Sequence, residues 1–352
     1  MKRPYWHDAY DAQMGLWRWY RTDGGKRWMS GLFADARGIP ESFRGKLAKI
    51  YDGEMGRLVE CDPVYVSPEM TDVVDVARES FEPEPLHEWD LATPRAFVYY
   101  ARPVEIRDRN GDPIAIQAFS WAQEYAVADD RVDEFFDRFS SPEAETEHGP
   151  RLTVSEAEAA IADGLVEAHG IGVTIYAVRD AYVESAAHGD EKAAAMLRRQ
   201  AGTVPVVPCH LTPWQYGQTF AGNEIDVEGR PTGAQDWWKL LQTTLRLMQQ
   251  KRPRSGYGRP DRATRRAAER LGFRPDTEIL IVRLRKEEAP RPEDSEPSGR
   301  SLLHRHLRTG HWRNQWYPSE QIHRQIYIDP TVVGDPSLPL LVRPRRVFQW
   351  TR

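Results

Sequence analysis

Two apolar, strand-like runs between Ala96 and Trp121 constrain the fold of this chain more than any other feature. Asn110 and Gly111 lie between the runs, which are rich in β-branched and aromatic residues. Both turn residues tolerate the positive φ angles of a tight connection, so the pattern predicts an antiparallel hairpin. A further strand is expected from Ile171 to Val178, and another from Val204 to His210 at a sheet edge, since prolines interrupt it.

Apolar residues recur at helical spacing on both sides of these strands. The pattern predicts helices over 41–58, 68–81, 233–250 and 260–271, with Ser67 as the N-cap of the second. Proline is expected as the first residue of the helices at 68 and 260. The combination predicts an α+β fold with a helical N-terminal region, central antiparallel hairpins and a basic α+β C-terminal region.

Length and composition bound the organisation of the chain. A length of 352 residues favours two domains. The acidic stretch around 140–150 is the candidate boundary, giving an N-terminal helical plus β-hairpin domain over 1–150 and an α+β domain with a basic motif region over 151–352. Apolar runs fall short of the roughly 20 residues that span a bilayer, and two cysteines provide no disulfide framework. We therefore expect a cytoplasmic protein with no membrane association.

Charge is distributed unevenly along the chain. The segment from Lys251 to Arg352 holds 22 of the 48 Lys and Arg residues but only 12 of the 53 Asp and Glu residues. The whole chain nevertheless carries a formal charge of −5. A basic C-terminal third is typical of proteins that bind an anionic partner, most often RNA or DNA. Attraction between the two halves of one fold would explain the same asymmetry.

The segment from Ser301 to Asp329 concentrates the chemically capable side chains, including four of the ten histidines. We interpret it first as a nucleic-acid-binding surface. In this interpretation arginines hold phosphates, amides read base edges and aromatic rings stack on bases. The predicted binding residues, including the arginines of the 260–271 helix, are Arg262, Arg265, Arg266, Arg308, Arg313, Asn314, Gln315, Trp316 and Arg324.

A metal-independent ribonuclease is the alternative that uses the same segment. Cleavage of RNA through its own 2′-OH requires a general base, a general acid and cationic donors for the phosphorane charge. Histidine titrates near neutral pH and arginine matches two phosphate oxygens. The candidate catalytic residues are His304, His306, His311, Arg313 and Tyr317.

Three further interpretations remain open. The acidic N-terminal region would serve a protein–protein interaction module that binds a basic partner. The aromatic and apolar residues of 312–328 would pack a terminal sheet without any chemical role. A metal site is disfavoured because arginines surround the histidines and few carboxylates lie close. Glycine-rich phosphate loops are absent from the sequence, which argues against a nucleotide-hydrolysing motor or a dinucleotide-dependent redox enzyme. We therefore predict no cofactor and no metal.

The run from Gly310 to Pro318, GHWRNQWYP, resembles a C-terminal signature of an uncharacterised protein family of actinobacteria and their phages. The segment around Trp237–Gln250 and the arginine-rich helix after it are similar to the same family. The resemblance implies a phage or mobile-element context, in which nucleic-acid transactions are common. It carries no catalytic assignment, and it supports the binding and ribonuclease interpretations equally.

Overall fold

Helices and strands alternate around one large sheet in the computed structural model of the chain, which confirms the α+β fold. The structure describes residues 6–34, 55–82, 84–91, 93–107, 112–127, 159–218, 234–250, 253–274, 277–284, 305–308, 310–319, 321–328, 331–333 and 340–341, with positions 131, 134 and 138. Most of the predicted helix over 41–58 lies outside the described residues. The described part of this region is helical over 55–60.

Seven strands form the central sheet, in the order β5-β4-β3-β2-β1-β7-β6. Strands β2 to β5 pair antiparallel, whereas β1 pairs parallel with both β2 and β7. Strand β5 is at one edge, as the prolines predicted, and β6 is at the other. The strands are β1 (Asp62–Val66), β2 (Arg95–Arg107), β3 (Pro113–Val127), β4 (Val166–Val178), β5 (Val206–Gln215), β6 (Pro253–Gly258) and β7 (Ile279–Leu284).

Helices cover both faces of this sheet. On β1 and β2, Tyr65 and Phe97 face one apolar cluster while Val64 and Val98 face the other, as the two-residue period of a strand requires. The helices are α1 (His7–Tyr20), α2 (Asp23–Ala34), α3 (Pro68–Glu79), α4 (Arg179–Ala187), α5 (Glu191–Ala201), α6 (Ala234–Met248) and α7 (Arg262–Glu269). Buried residues of α1, α2, α4, α5 and α7 join the first cluster, and those of α3 and α6 join the second.

A long antiparallel hairpin completes the described fold. Its strands are β8 (Arg305–Arg308), β9 (His311–Tyr317), β10 (Ile322–Ile328) and β11 (Thr331–Val333), with β12 (Leu340–Leu341) parallel to β8. Arg308 pairs with Thr331, and three residues further on His311 pairs with Ile328. The ladders of β8 with β11 and β9 with β10 therefore share one register.

Local signals in the sequence located most of these elements. The hydroxyl of Ser67 accepts a 3.3 Å hydrogen bond from the backbone N–H of Met70, which confirms the predicted cap of α3. The predicted hairpin is formed by β2 and β3, which pair out to Arg107 and Pro113. Its turn residues Asn110 and Gly111 lie outside the described residues.

One expectation about the 250–271 region was wrong, and one strand there was not predicted. The basic stretch after α6 forms the edge strand β6, because its backbone pairs with β7. Helix α7 begins one residue after Asp261, whose carboxylate accepts a 2.9 Å hydrogen bond from the backbone N–H of Thr264. Pro260 therefore precedes the N-cap instead of opening the helix. With a strand between α6 and α7, the two helices do not form a helix-turn-helix unit.

The division at residue 150 stays a prediction. Strands β1 to β3 come from the first predicted domain and β4 to β7 from the second. They pair within the same sheet, so the predicted domains share a layer of backbone hydrogen bonds.

Candidate nucleic-acid interface

One face of the β9–β10 hairpin packs on helix α3. Trp312 and Tyr327 are paired across the hairpin, and their ring centroids are 5.3 Å apart. Phe81 meets Trp312 edge to face at 5.0 Å, and the Trp312 indole nitrogen donates a 2.9 Å hydrogen bond to the carbonyl of Ala77. These contacts bury Tyr327 and fix which face of the hairpin points to the sheet.

A charged network attaches the same face to helix α6. The Gln325 amide donates a 2.6 Å hydrogen bond to one carboxylate oxygen of Glu84, and Arg246 donates a 3.0 Å hydrogen bond to the other. Arg246 also contacts the Asp90 carboxylate at 2.5 Å, where the Asp90 side chain is only 3% exposed. The amide of Gln242 on α6 donates to the Glu84 carbonyl oxygen at 2.5 Å. The hairpin is thus held by directed polar contacts as well as by apolar packing.

The opposite face of the hairpin carries five of the predicted site residues. Side chains alternate along a strand, and residues directly opposite in an antiparallel pair share a face. The register therefore places on this face, which we call the outer face, His311, Arg313, Gln315, Tyr317 and Arg324 together with Ile322, Ile326 and Ile328.

Contacts within the outer face orient its polar groups. Arg313 is exposed and donates a 2.6 Å hydrogen bond to the side-chain oxygen of Gln315. The guanidinium of Arg324 lies 5.7 Å from the ring centroid of Tyr317, within the range of a cation–π interaction. The described positions of β9 and β10 include two arginines and no Asp or Glu. The outer face is therefore cationic, with one arginine fork exposed.

Other predicted residues of the hairpin lie on the packed face. Asn314 and Trp316 alternate with the outer-face residues along β9, but both are exposed, so the packing of this face is limited to the end that carries Trp312. Trp316 lies beyond the end of the packing contact, because it is 42% exposed and its ring centroid is 4.8 Å from that of His323. Trp312 packs as the structural alternative predicted, while Trp316 does not.

The described histidines of this segment do not converge. His311 is on the outer face at one end of the hairpin, whereas His323 is on the packed face towards the other end. His311 and Tyr317 share the outer face but are six residues apart, about 20 Å along a strand. Hydrogen-bond reach is far shorter, so this pair cannot act together on one phosphate. The side chains of His306 and Arg308, and the whole of His304, lie outside the described residues.

The arginines of α7 occupy a different part of the molecule. Arg262 and Arg266 are exposed and Arg265 is half-buried. Ala268 of the same helix joins the apolar cluster on the α1 face of the sheet, whereas Tyr327 of the hairpin joins the cluster on the α3 face. The predicted phosphate-binding arginines whose side chains the structure describes are therefore divided between α7 on one face of the sheet and the hairpin on the other.

Cys209 lies in β5 next to His210, a pairing that would suit a thiol nucleophile if the thiol ionised. Its thiol donates a hydrogen bond of 3.3 Å to the Ile175 carbonyl of the neighbouring strand. Burial raises the pKa of the thiol to about 12, well above its ordinary value. A thiol held in the protonated form is a poor nucleophile.

Among the residues described, no group of three His, Cys, Asp or Glu side chains is arranged to hold a metal ion.

Sequence analysis missed the three charged residues that anchor the hairpin. Glu84 and Asp90 lie between the predicted helix over 68–81 and the first predicted strand, and Arg246 lies in the helix predicted over 233–250 from its apolar residues. A charged residue at position 246, within a helix that buries Leu245 and Leu247, was the signal available. Charged residues in such positions are usually paired, and Asp90, the partner of Arg246, lies more than 150 positions away.

No helix among the described residues is long and apolar enough to cross a membrane.

Comparison with known proteins relates the C-terminal third of the chain to one family. Residues 218–335 match the model of the family described as AcrVA2-like, the anti-CRISPR type V subtype A2 family. The match covers about a third of the chain, contains α6, α7 and the hairpin, and includes every residue predicted to bind or act on nucleic acid. No curated protein matches the sequence. The similarity supports a phage or mobile-element context.

Proposed function

We propose that this chain is a cytoplasmic phage or mobile-element protein that counteracts a type V CRISPR system by binding nucleic acid through the outer face of its β9–β10 hairpin. Similarity of residues 218–335 to the anti-CRISPR family supports the first half of this proposal. The observation that carries the second half is the cationic outer face, since CRISPR systems operate through RNA and DNA.

Each polar or aromatic residue of the outer face has a distinct role in this proposal. The exposed fork of Arg313 matches two oxygens of one phosphate, and Arg324 holds a neighbouring phosphate from the paired strand. Gln315 presents an amide to base edges, and Tyr317 offers a ring on which a base stacks. His311 adds a donor at the end of the face. The arginines of α7 form a second, separate contact in this scheme.

Single-stranded nucleic acid fits the outer face better than a duplex groove. A two-stranded β-ribbon enters the major groove of DNA when it projects from the protein as an arm that fits between the two backbones. Here Trp312, Tyr327 and Gln325 hold the other face against α3 and the Glu84 loop, so the ribbon does not project as an isolated arm. A fixed platform of arginines and a tyrosine is typical of single-strand binding, where phosphates track the cations and bases stack.

Two assays test the two halves of the proposal separately. In cells carrying a type V CRISPR system, expression of the chain should restore plating of a targeted phage, and the double variant Arg313→Gln/Arg324→Gln should lose this protection. Fluorescence anisotropy with labelled single-stranded RNA and DNA should show binding by the wild type that the double variant loses. The matched control is Arg102→Gln, an exposed arginine of β2 paired with Asp72.

The assays also separate binding from cleavage. Labelled RNA incubated in EDTA with the wild type and with His311→Ala should persist equally if the chain only binds. Faster loss of RNA with the wild type would favour the ribonuclease alternative, with His304 or His306 as the partner of His311. Equal binding by the wild type and the double variant would remove the outer face as the contact surface.

A further inference from the structure

Trp89 is an exposed tryptophan on an anchored backbone. Its side chain is 64% exposed, and its ring stacks on His87 with centroids 4.3 Å apart and planes inclined by 15°. The carbonyl of Trp89 accepts a 3.0 Å hydrogen bond from the Gln249 amide, and the next residue, Asp90, is buried against Arg246. An exposed indole that is already held in one orientation loses little conformational entropy when a partner binds, and such side chains are typical of interaction hot spots.

A chain of hydrogen bonds extends the surface beside Trp89. The Gln123 amide donates to the Glu88 carboxylate at 3.0 Å and to the hydroxyl of Tyr216 at 3.1 Å. The hydroxyl of Tyr125 donates to the Gln123 oxygen at 3.0 Å, and the Tyr125 side chain is 39% exposed. Two aromatic groups and one carboxylate thus surround a common amide. This surface precedes the segment similar to the anti-CRISPR family.

The electrostatics of this surface favour a cation. Glu88 contacts a neutral amide, while Glu84 and Asp90 behind it share the single guanidinium of Arg246. Burial, the largest cause, and the nearby charges of Glu88 and Asp90 together raise the pKa of Tyr216 to about 12, which is consistent with a negative potential there. A phosphate would be repelled from this place, whereas the outer face of the hairpin attracts one.

We propose that His87, Glu88, Trp89 and Tyr125 form a docking surface for an arginine side chain of a partner protein. A guanidinium stacks on the face of the Trp89 indole and donates to the Glu88 carboxylate from the same position. Arginine fits better than lysine because its planar fork satisfies both contacts at once. The surface serves a basic protein segment, while the hairpin serves nucleic acid, so the two partners bind at sites of opposite charge.

The test uses the full chain and a short capped peptide of alternating glycine and arginine. Binding is followed by two-dimensional NMR of the tryptophan indole N–H groups, with the Trp89 signal assigned from Trp89→Phe. The peptide should shift this signal saturably. Isothermal titration calorimetry gives the affinities of the variants, since Trp89→Ala lacks the Trp89 signal. Trp89→Ala and Glu88→Gln should each weaken the affinity about 2- to 5-fold, the range of an exposed cation–π or charged contact. A lysine peptide should bind more weakly, and a glutamine peptide should leave the signal unchanged.

The control variant is Trp316→Ala, which removes another exposed tryptophan at a different site and should bind the arginine peptide like the wild type. Circular dichroism of each variant checks that it folds. Equal affinities of Trp89→Ala and Trp316→Ala for the peptide would overturn the proposal. Saturable shifts of the Trp89 signal by oligouridylate in place of the peptide would overturn it as well. Nucleic-acid binding lost in Arg313→Gln/Arg324→Gln but kept in Trp89→Ala distinguishes this surface from the outer face.

Discussion

The indole nitrogen of Trp312 donates a 2.9 Å hydrogen bond to the backbone carbonyl of Ala77, which lies 235 positions earlier in the chain. Ala77 is in the last turn of α3, where carbonyl groups lack partners within the helix. The bond therefore satisfies a helix end and docks the hairpin in one contact. Because Trp312 and Arg313 are consecutive in a strand, burying the first turns the second outward.

Replacing Trp312 with phenylalanine tests this docking contact. The substitution Trp312→Phe keeps an aromatic ring but leaves the Ala77 carbonyl with only the longer, 3.4 Å hydrogen bond from the Ser80 hydroxyl. We expect the free energy of unfolding to fall by about 0.5–1.5 kcal/mol, the net contribution of one hydrogen bond. Urea denaturation followed by circular dichroism measures it. Trp316→Phe, at the exposed end of the same strand, should change it by less than about 0.5 kcal/mol. Equal effects at the two positions would show that the Ala77 contact does not stabilise the fold.

Removing Arg246 tests the buried charged network. The substitution Arg246→Met leaves Asp90 buried without its cation and Glu84 without one of its donors. We expect a loss of about 3–5 kcal/mol in the free energy of unfolding, because an uncompensated buried charge is strongly destabilising. Thermal and urea unfolding measure the loss.

The matched control is Arg102→Met, since both side chains of the Arg102–Asp72 pair are 59% exposed. This exposed pair should contribute about 1 kcal/mol or less. Similar losses for the two variants would mean that burial does not distinguish the pairs. Hydrogen exchange of the β9 and β10 amides adds an independent measurement, since Arg246→Met should speed exchange there more than in β4.

Each outer-face arginine should contribute separately to the salt dependence of nucleic-acid binding. A phosphate contact made by one arginine adds about 0.7 to the slope of log K against log salt for a single strand, and about 0.9 for a duplex. Arg313→Gln and Arg324→Gln should each reduce the slope by about this amount. Titrations at several salt concentrations measure it. An unchanged slope in both variants would argue against phosphate contacts at these positions, even if affinity fell for another reason.

Cys209 should resist thiol reagents in the folded protein. Its pKa is raised from the ordinary value to about 12 by burial, so almost no thiolate exists at pH 8. We expect native-state labelling at Cys209, resolved from Cys61 by peptide mass spectrometry, to be far slower than in urea. Rapid labelling of the native protein would show that the strand opens or that the thiol is ionised.

The same pKa shift predicts a change of stability in alkaline solution. The unfolded chain releases the Cys209 proton near pH 9, whereas the folded chain retains it until about pH 12. The contribution of this group is therefore fully present below pH 9 and declines as the pH rises towards 12. Urea unfolding of the wild type and Cys209→Ala at pH 8 and pH 10 measures the contribution. A wild type that loses no stability relative to Cys209→Ala between these values would contradict the prediction.

Local signals were sufficient for much of the fold. Ser67 and Pro68 correctly predicted the start of α3, and the prolines of β5 correctly predicted that this strand lies at a sheet edge. Both predictions succeeded because helix capping and the missing proline N–H depend only on a few neighbouring residues. The same reasoning failed at β6, where a basic and glycine-containing stretch has weak strand propensity. Pairing with β7 supplies the backbone hydrogen bonds that its own residues do not favour.

The sequence by itself determined which side chains alternate along β9, because the two-residue period of a strand places Arg313, Gln315 and Tyr317 on one face. Only the tertiary structure decided that the opposite face packs on α3, through the burial of Tyr327 and the bond from Trp312 to Ala77. This packing leaves Arg313 exposed and the other outer-face side chains half-buried. It also separated the arginines of α7 from those of the hairpin. Periodicity is a property of adjacent residues, whereas the choice of the buried face is a competition between surfaces far apart in the chain.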